Sequence, residues 1–305
     1  MTVAIPVILN VRSGTSAPID TARLRHAFHV AGLDVQLYEA KTGDEIVALT
    51  LNAIASAPPM IVAGGGDGTV SAVAAELVDR DIPLGVLPLG TLNHFARDLR
   101  IPAEVESAVR LLATGQPVRV DVGEVNGRVF LNNSSIGLYT RLVRHRDHLV
   151  HRLGRNKWTA LLRAAWTVLR RYPQLSVRVR VGGEDLVRRT PLVFVGNNMY
   201  AMEGLQIGRR VRVDAGTLSL YIPRRQGRSA LFRIALRAVF GRLNAVRDFD
   251  SLAGAEILVE TQRSFVRIAI DGEVTGSETP LRYRIRPGAL RVIAPPVAGQ
   301  QEDLH

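Results

Sequence analysis

The sequence predicts two domains: an α/β domain built on a parallel sheet, then a β-rich sandwich domain carrying helical insertions. Three observations lead there. At 305 residues the chain exceeds what one hydrophobic core usually serves, at roughly 150 residues per domain. Its first 120 residues alternate short apolar runs with helical patterns, the mark of parallel strands joined by crossover helices. From Val118 onward the pattern becomes a two-residue alternation punctuated by Asn126-Gly127 and Gly182-Gly183, which suit tight turns between antiparallel strands. The expected division is 1–120 for the α/β domain and 121–298 for the sandwich, whose last strand can return to the first domain, with a tail over 299–305.

Taken in order, Val3 to Leu9 reads as a buried strand. Asp20 or Thr21 caps a helix carrying Leu24, Phe28 and Ala31 that stops at Gly32. Val35 to Tyr38 is a second strand, Asp44 to Ala57 a second helix, and Met60 to Ala63 a third strand running into glycines. Helical spacing resumes from Thr69 to Asp79, Leu84 to Leu87 is a fourth strand, and Thr91 opens a helix through Leu99. A further helix covers Glu104 to Ala113. Beyond it, strands are expected at Val177 to Val181, Leu192 to Gly196, Thr217 to Ile222, Ile257 to Glu260 and Val266 to Ile270, then at Leu281 to Arg286 and Leu290 to Ala294. Two basic helical insertions, near Arg141 to Arg171 and Ser229 to Leu243, interrupt this region.

Apolar residues at 47% and charged residues at 22% describe an ordinary globular chain and argue against extensive disorder. With no cysteine, disulfides and thiolate metal sites are excluded, so any metal needs oxygen or imidazole ligands. The first eleven residues lack the early positive charge and the cleavage pattern of a secretory signal and are too short an apolar run to span a bilayer, so a cytoplasmic protein is expected. A formal charge of +11 draws anions: nucleotides, acidic lipid headgroups or nucleic acid. Nucleic acid is not expected, because that reading rests on charge alone, with no recognition motif and few aromatic residues for stacking.

The chemistry concentrates in a few turns. Gly64-Gly65-Gly66-Asp67-Gly68-Thr69 follows a strand and opens a helix, where small residues, free N–H groups and the helix dipole together favour phosphate. It lacks the Gly-Lys-Ser/Thr ending of a P-loop and the spacing of a dinucleotide fingerprint, so backbone and hydroxyl groups would hold the phosphate without a loop lysine. Leu87-Pro88-Leu89-Gly90-Thr91-Leu92-Asn93 forms the next strand-to-helix junction, and neighbouring parallel strands present such junctions on one sheet edge. Asp271-Gly272-Glu273, taken alone, reads as an ordinary hairpin turn.

Four stretches together resemble the diacylglycerol kinase catalytic superfamily, with its bacterial lipid kinases and sphingosine kinase relatives. They are Asn10-Val11-Arg12-Ser13-Gly14, the Gly-Gly-Asp-Gly-Thr turn, Pro88 to Ala96, and Asp271-Gly272-Glu273. The resemblance covers nearly the whole chain. It implies a phosphofructokinase- or NAD kinase-like first domain, a C-terminal sandwich, and transfer of the γ-phosphoryl group of ATP to a lipid hydroxyl with Mg²⁺. By that resemblance Asn10, Gly64, Gly65, Gly66, Gly68, Thr69, Thr91 and Asn93 fall in the nucleotide site. Asp67 would work with the Mg²⁺ of ATP, and Glu273 with Asp271 would serve the acid-base step, Glu273 accepting the hydroxyl proton. Phosphoryl transfer relies mainly on positioning and charge neutralisation, which such a set can supply.

Several positions depart from that family's commoner pattern: Val11, Glu39, Ser71, Ala72 and His94. Val213-Asp214-Ala215-Gly216-Thr217-Leu218 resembles a loop that binds a structural Mg²⁺ in some members, but Ala215 leaves only the Asp214 carboxylate, a poor dedicated site. The arginine-rich stretch around Trp158 and Trp166 suits peripheral contact with an anionic membrane where a lipid substrate resides, and equally suits a helix with a solvated basic face. A homodimer is compatible with the sequence. An NAD kinase-like small-molecule kinase, and a relative that binds nucleotide or lipid without turnover, stand as alternatives.

Overall fold

The computed structural model describes residues 4–11, 20–137, 174–201, 209–210, 212–224, 227 and 248–296. Both helical insertions expected from the sequence lie outside these residues, as do Arg12 to Gly14 of the first-strand turn. The chain forms two compact units, one of residues 1–122 with 287–305 and the other of residues 123–286.

In the first unit, strands β1 (Ile5–Asn10), β2 (Val35–Ala40), β3 (Ile61–Gly65) and β4 (Leu84–Pro88) make a parallel sheet in the order β2-β1-β3-β4. β3 and β4 are buried along their whole length, as expected of continuous apolar runs covered by helices on both faces. The crossovers are α1 (Thr21–Val30), α2 (Gly43–Ala55), α3 (Asp67–Leu77), α4 (His94–Asp98) and α5 (Val105–Thr114). Asp20 caps α1 by accepting from Arg23 N, and Thr42 caps α2 by accepting from Glu45 N. Leu24, Phe28, Val73, Leu77 and Val109 seal the helices onto the sheet.

The second unit begins within β5 (Gln116–Val125), which turns through Asn126-Gly127 into β6 (Arg128–Phe130). Both turn residues have positive φ, as a two-residue hairpin demands. There follow β7 (Asn133–Gly137), β8 (Leu175–Val181), β9 (Glu184–Thr190), β10 (Leu192–Asn197), the short β11 (Tyr200–Ala201) and β12 (Arg209–Arg210), β13 (Leu218–Pro223), β14 (Phe249–Gly254), β15 (Glu256–Thr261), β16 (Phe265–Ile270), β17 (Glu273–Glu278) and β18 (Leu281–Ala294). One antiparallel sheet runs β14-β13-β10-β7-β16-β17; β9, β8, β15 and the first half of β18 pair antiparallel in another. Phe130, Ile136, Val179, Val195, Leu220 and Tyr283 form the shared core between these strands.

Three boundaries differ from the sequence reading. The helix expected to open at Thr91 starts at His94, because Asn93 adopts a left-handed conformation with φ of 49° that a helix cannot include. The helix after the glycines starts two residues earlier, at Asp67. The two last strands are one, β18, which passes through Pro287 and a left-handed Gly288 without leaving the ladder. Asp121 Oδ1 accepts from Gly288 N at 2.9 Å and holds the bend, and beyond it Val292 pairs in parallel with Leu84 of β4.

Candidate functional site

In the first unit the glycine run does two jobs. Gly64 and Gly65 end β3, and a Cβ on Gly65 would sit 2.4 Å from Thr69 Oγ1, so only glycine lets the strand end fold against the first turn of α3. Gly66 is the N-cap of α3 in an extended conformation and, bearing no side chain, gives the helix no side-chain cap. The first-turn N–H groups of Asp67, Gly68 and Thr69 therefore have no cap acceptor of the kind that closes α1 and α2, the arrangement that receives phosphate oxygens.

The second glycine turn is pressed against the first. A Cβ on Gly90 would lie 2.4 Å from Gly66 Cα, and Leu89 N donates to Gly65 O at 3.0 Å. Asn93 locks this turn from inside: its Nδ2 donates to Pro88 O and Gly90 O, and its Oδ1 accepts from Gly90 N. Its amide is thus committed to shaping the loop. Since Asn93 cannot cap α4, Asp67 does so instead, its Oδ1 accepting from Phe95 N at 3.2 Å. Asn10, at the end of β1, donates to the buried Thr69 hydroxyl at 3.1 Å. The sequence-derived residues Asn10, Gly64, Gly65, Gly66, Asp67, Gly68, Thr69, Gly90 and Asn93 thus converge on one sheet edge, while Thr91 stands exposed beside them.

In the second unit Asp271 and Gly272 make the two-residue turn between β16 and β17, with φ of 46° and 88°, and Ile270 pairs with Glu273 across it. The hairpin reading of this motif holds. The turn does more, however, because Asp271 turns its carboxylate onto the backbone between β6 and β7. Oδ2 accepts from Leu131 N at 2.8 Å, and Oδ1 accepts from Asn132 N at 2.8 Å and Asn133 N at 3.0 Å. Asp271 is therefore a backbone anchor, a role that its place in the motif does not announce. Glu273 keeps its side chain in reach of solvent, yet packing around it pushes its carboxyl above the ordinary range, and the neighbouring Asp271 charge adds to that. A carboxylate with a raised affinity for protons suits a proton acceptor.

Arg210 was invisible in the sequence. It is buried, and its Nη1 donates to Leu131 O at 2.6 Å while Nη2 reaches Asn132 Oδ1 at 3.4 Å. Among many arginines nothing in the local pattern sets it apart; only burial does. Both Asp214 oxygens accept from Arg212, from Nε at 3.0 Å and Nη2 at 3.2 Å. Among the described residues no group of three or more His, Asp or Glu side chains converges, and no helix is long and apolar enough to cross a membrane.

Residues 4–125 match the diacylglycerol kinase catalytic domain, and residues 133–294 match the YegS C-terminal NAD kinase beta sandwich-like domain. The chain belongs to the YegS-like lipid kinase family. It is 34% identical over 272 residues to a "Probable lipid kinase YegS-like" protein of Pseudomonas syringae pv. syringae, covering 86% of this chain and 84% of the relative. A Klebsiella pneumoniae relative of the same description is 28% identical over 307 residues, covering 95% and 97%. A diacylglycerol kinase structure from Bacillus anthracis str. Sterne shares the fold, with a TM-score of 0.70 at 21% identity over 96% of this chain and 97% of that one. The α/β domain with a parallel sheet and the β-sandwich domain expected from the sequence are both present in this lipid kinase.

Proposed function

We propose that this lipid kinase transfers the γ-phosphoryl group of ATP to the hydroxyl of a diacylglycerol or sphingoid base. The observation that carries the reading is the uncapped start of α3 at Gly66 to Thr69, held open against Gly90 by contacts that tolerate only glycine. The N–H groups there receive the phosphates, Asn10 orients the Thr69 hydroxyl, and Asn93 keeps the adjoining turn in shape. Mg²⁺ fits this donor set in the way it usually binds nucleotides, through substrate phosphates, water and one or two carboxylates. Asp67 is that carboxylate; one of its oxygens is engaged by Phe95 N. When bound, the ion supplies charge neutralisation at the phosphates.

Glu273 accepts the proton of the attacking hydroxyl, and its upward-shifted pKa brings its basicity closer to that need. The lipid is reached by peripheral contact with an anionic membrane, supported by the +11 formal charge and by the basic stretch around Trp158 and Trp166, which lies outside the described residues. Incubating the purified protein and labelled ATP·Mg²⁺ with a panel of diacylglycerols, sphingoid bases, phosphatidylglycerol and NAD tests the assignment. Label in a lipid product supports it, label in NAD alone would move the activity to a nucleotide acceptor, and ATP binding without any product would make the chain a non-catalytic relative.

A further inference from the structure

Leu131 and Asn132 link β6 to Asn133, the first residue of β7; the two link residues are buried, and every backbone polar group from Leu131 to Asn133 is satisfied by a partner from elsewhere in the second unit. The three N–H groups go to Asp271. Leu131 O receives Arg210 Nη1 and, at 2.8 Å, Asn197 Nδ2. Asn132 O receives the Tyr200 hydroxyl at 2.8 Å and Asn197 N at 2.9 Å, and Asn133 O receives Asp271 N at 2.9 Å. One of the donors to this segment's carbonyls is a guanidinium and the acceptor of its amides is a carboxylate, so two side chains of opposite charge grip one stretch of peptide beside the neutral partners.

A segment held this way is rigid, because each bond polarises the peptide groups that make the next. Rigidity here is transmitted directly, since Asp271 is both the acceptor of the three amides and the first turn residue of the hairpin from which Glu273 projects. We propose that Arg210 is a positioning residue for the phosphoryl transfer assigned above: by fixing Leu131 to Asn133 against Asp271, it sets where the Glu273 carboxylate stands. The inference rests on that assignment only for its kinetic consequence. Guanidinium is suited to the task because its fixed fork reaches both Leu131 O and the Asn132 amide, which a single ammonium on a flexible stem would not reproduce.

The test uses the full-length protein with Arg210→Met and Arg210→Lys. Steady-state transfer from labelled ATP to the best lipid acceptor should show kcat reduced on the order of ten- to a hundred-fold, the range seen when supporting groups are lost, with ATP affinity by calorimetry unchanged. Lysine should not restore the rate. In a Glu273→Gln background, Arg210→Met should cost less than about threefold more, since a group acting through Glu273 has nothing left to position. Independently of turnover, carbon-13 carboxyl NMR of glutamate-labelled protein, with Glu273 assigned by Glu273→Gln, should show its titration moving toward the ordinary carboxyl range in Arg210→Met. A folded Arg210→Met protein with wild-type kcat and an unmoved Glu273 titration overturns the proposal, as does a full, independent loss in the Glu273→Gln background. Should wild-type protein phosphorylate no lipid, the proposed function fails while the titration still decides the clamp. Should Arg210→Met not fold, Tyr200→Phe removes one bond from the same segment and keeps the ring; it should shift the titration in the same direction by less, and no shift overturns the proposal.

Discussion

Replacing Asp271 by alanine would strip three backbone N–H groups of their acceptor at once. Two of those groups belong to residues almost wholly removed from solvent, Leu131 at 1% and Asn132 at 5% exposure, so water cannot freely take the carboxylate's place. An orphaned buried donor costs about 1–3 kcal/mol, and the two buried amides therefore set a loss of about 2–6 kcal/mol. For a unit of this size that corresponds to a fall in melting temperature on the order of 5–20 °C. Asparagine is the sharper probe. Its carbonyl oxygen can still serve Asn132 and Asn133, but its amide would meet Leu131 N donor to donor, so Asp271→Asn should fall between wild type and alanine. Differential scanning calorimetry with urea unfolding measures both variants. If Asp271→Ala melted within a degree of wild type, the carboxylate would not be the anchor described above, and its role would have to be sought in chemistry.

Further outcomes are expected. Glu273→Gln should lower kcat by about 10²- to 10⁴-fold with ATP affinity intact, read by single-turnover transfer beside calorimetry; a variant that loses ATP binding would contradict the acid-base assignment. Because packing raises the Glu273 pKa, the wild-type rate should climb with pH through a midpoint above the ordinary carboxyl range. The same raised pKa means that the folded state holds this proton more tightly than the unfolded state, so its contribution to stability is present below the unfolded pKa and is lost as pH rises through the folded one; Glu273→Gln should flatten that dependence in a pH series of melts. Gly90→Ala should destabilise the first unit by about 1–3 kcal/mol and weaken ATP binding, since its methyl group would press on the Gly66 backbone; unaltered ATP binding would count against the paired-turn site. Glu124 is buried beneath Arg284 and Arg286, so Arg284→Met should leave the urea midpoint nearly unchanged while Arg286 remains, and the double Met variant should lower it clearly, because the buried carboxylate then loses both partners.

The parallel half of the fold was legible because each crossover carries its own punctuation: caps at Asp20 and Thr42, continuous apolar runs at β3 and β4, glycine where strand meets helix. The antiparallel half was less so. β7 lies at the centre of its sheet, yet its sequence Asn133-Ser134-Ser135-Ile136-Gly137 looks like a loop, since small polar residues are driven inside only by partners distant in sequence, such as the Tyr283 hydroxyl against Ser134. β9 hides for the opposite reason: an edge strand of Glu184, Asp185, Arg188 and Arg189 carries charge where a buried strand carries apolar side chains. Which residues gather at the glycine turns could be read from spacing; what each contributes could not. That Asn93 shapes its own loop and Asp67 caps α4 follows from a left-handed residue whose conformation local propensity does not announce.

The discontinuous make-up of the first unit bears on how the chain is made. Residues 4–88 supply the four strands that leave the ribosome early, but the strand beside β4 is residues 287–294, which emerge only after the entire second unit. Until then β4 has an unpaired flank, an exposed apolar edge of the kind that invites association with other nascent chains. A fragment ending after β5 would carry that open flank permanently, so a nucleotide-binding module cut from this protein would call for residues 287–294 to be spliced back as a fifth strand. Synthesis order and folding order are therefore out of step, and the second unit must be tolerated as a long insertion while the first waits for completion.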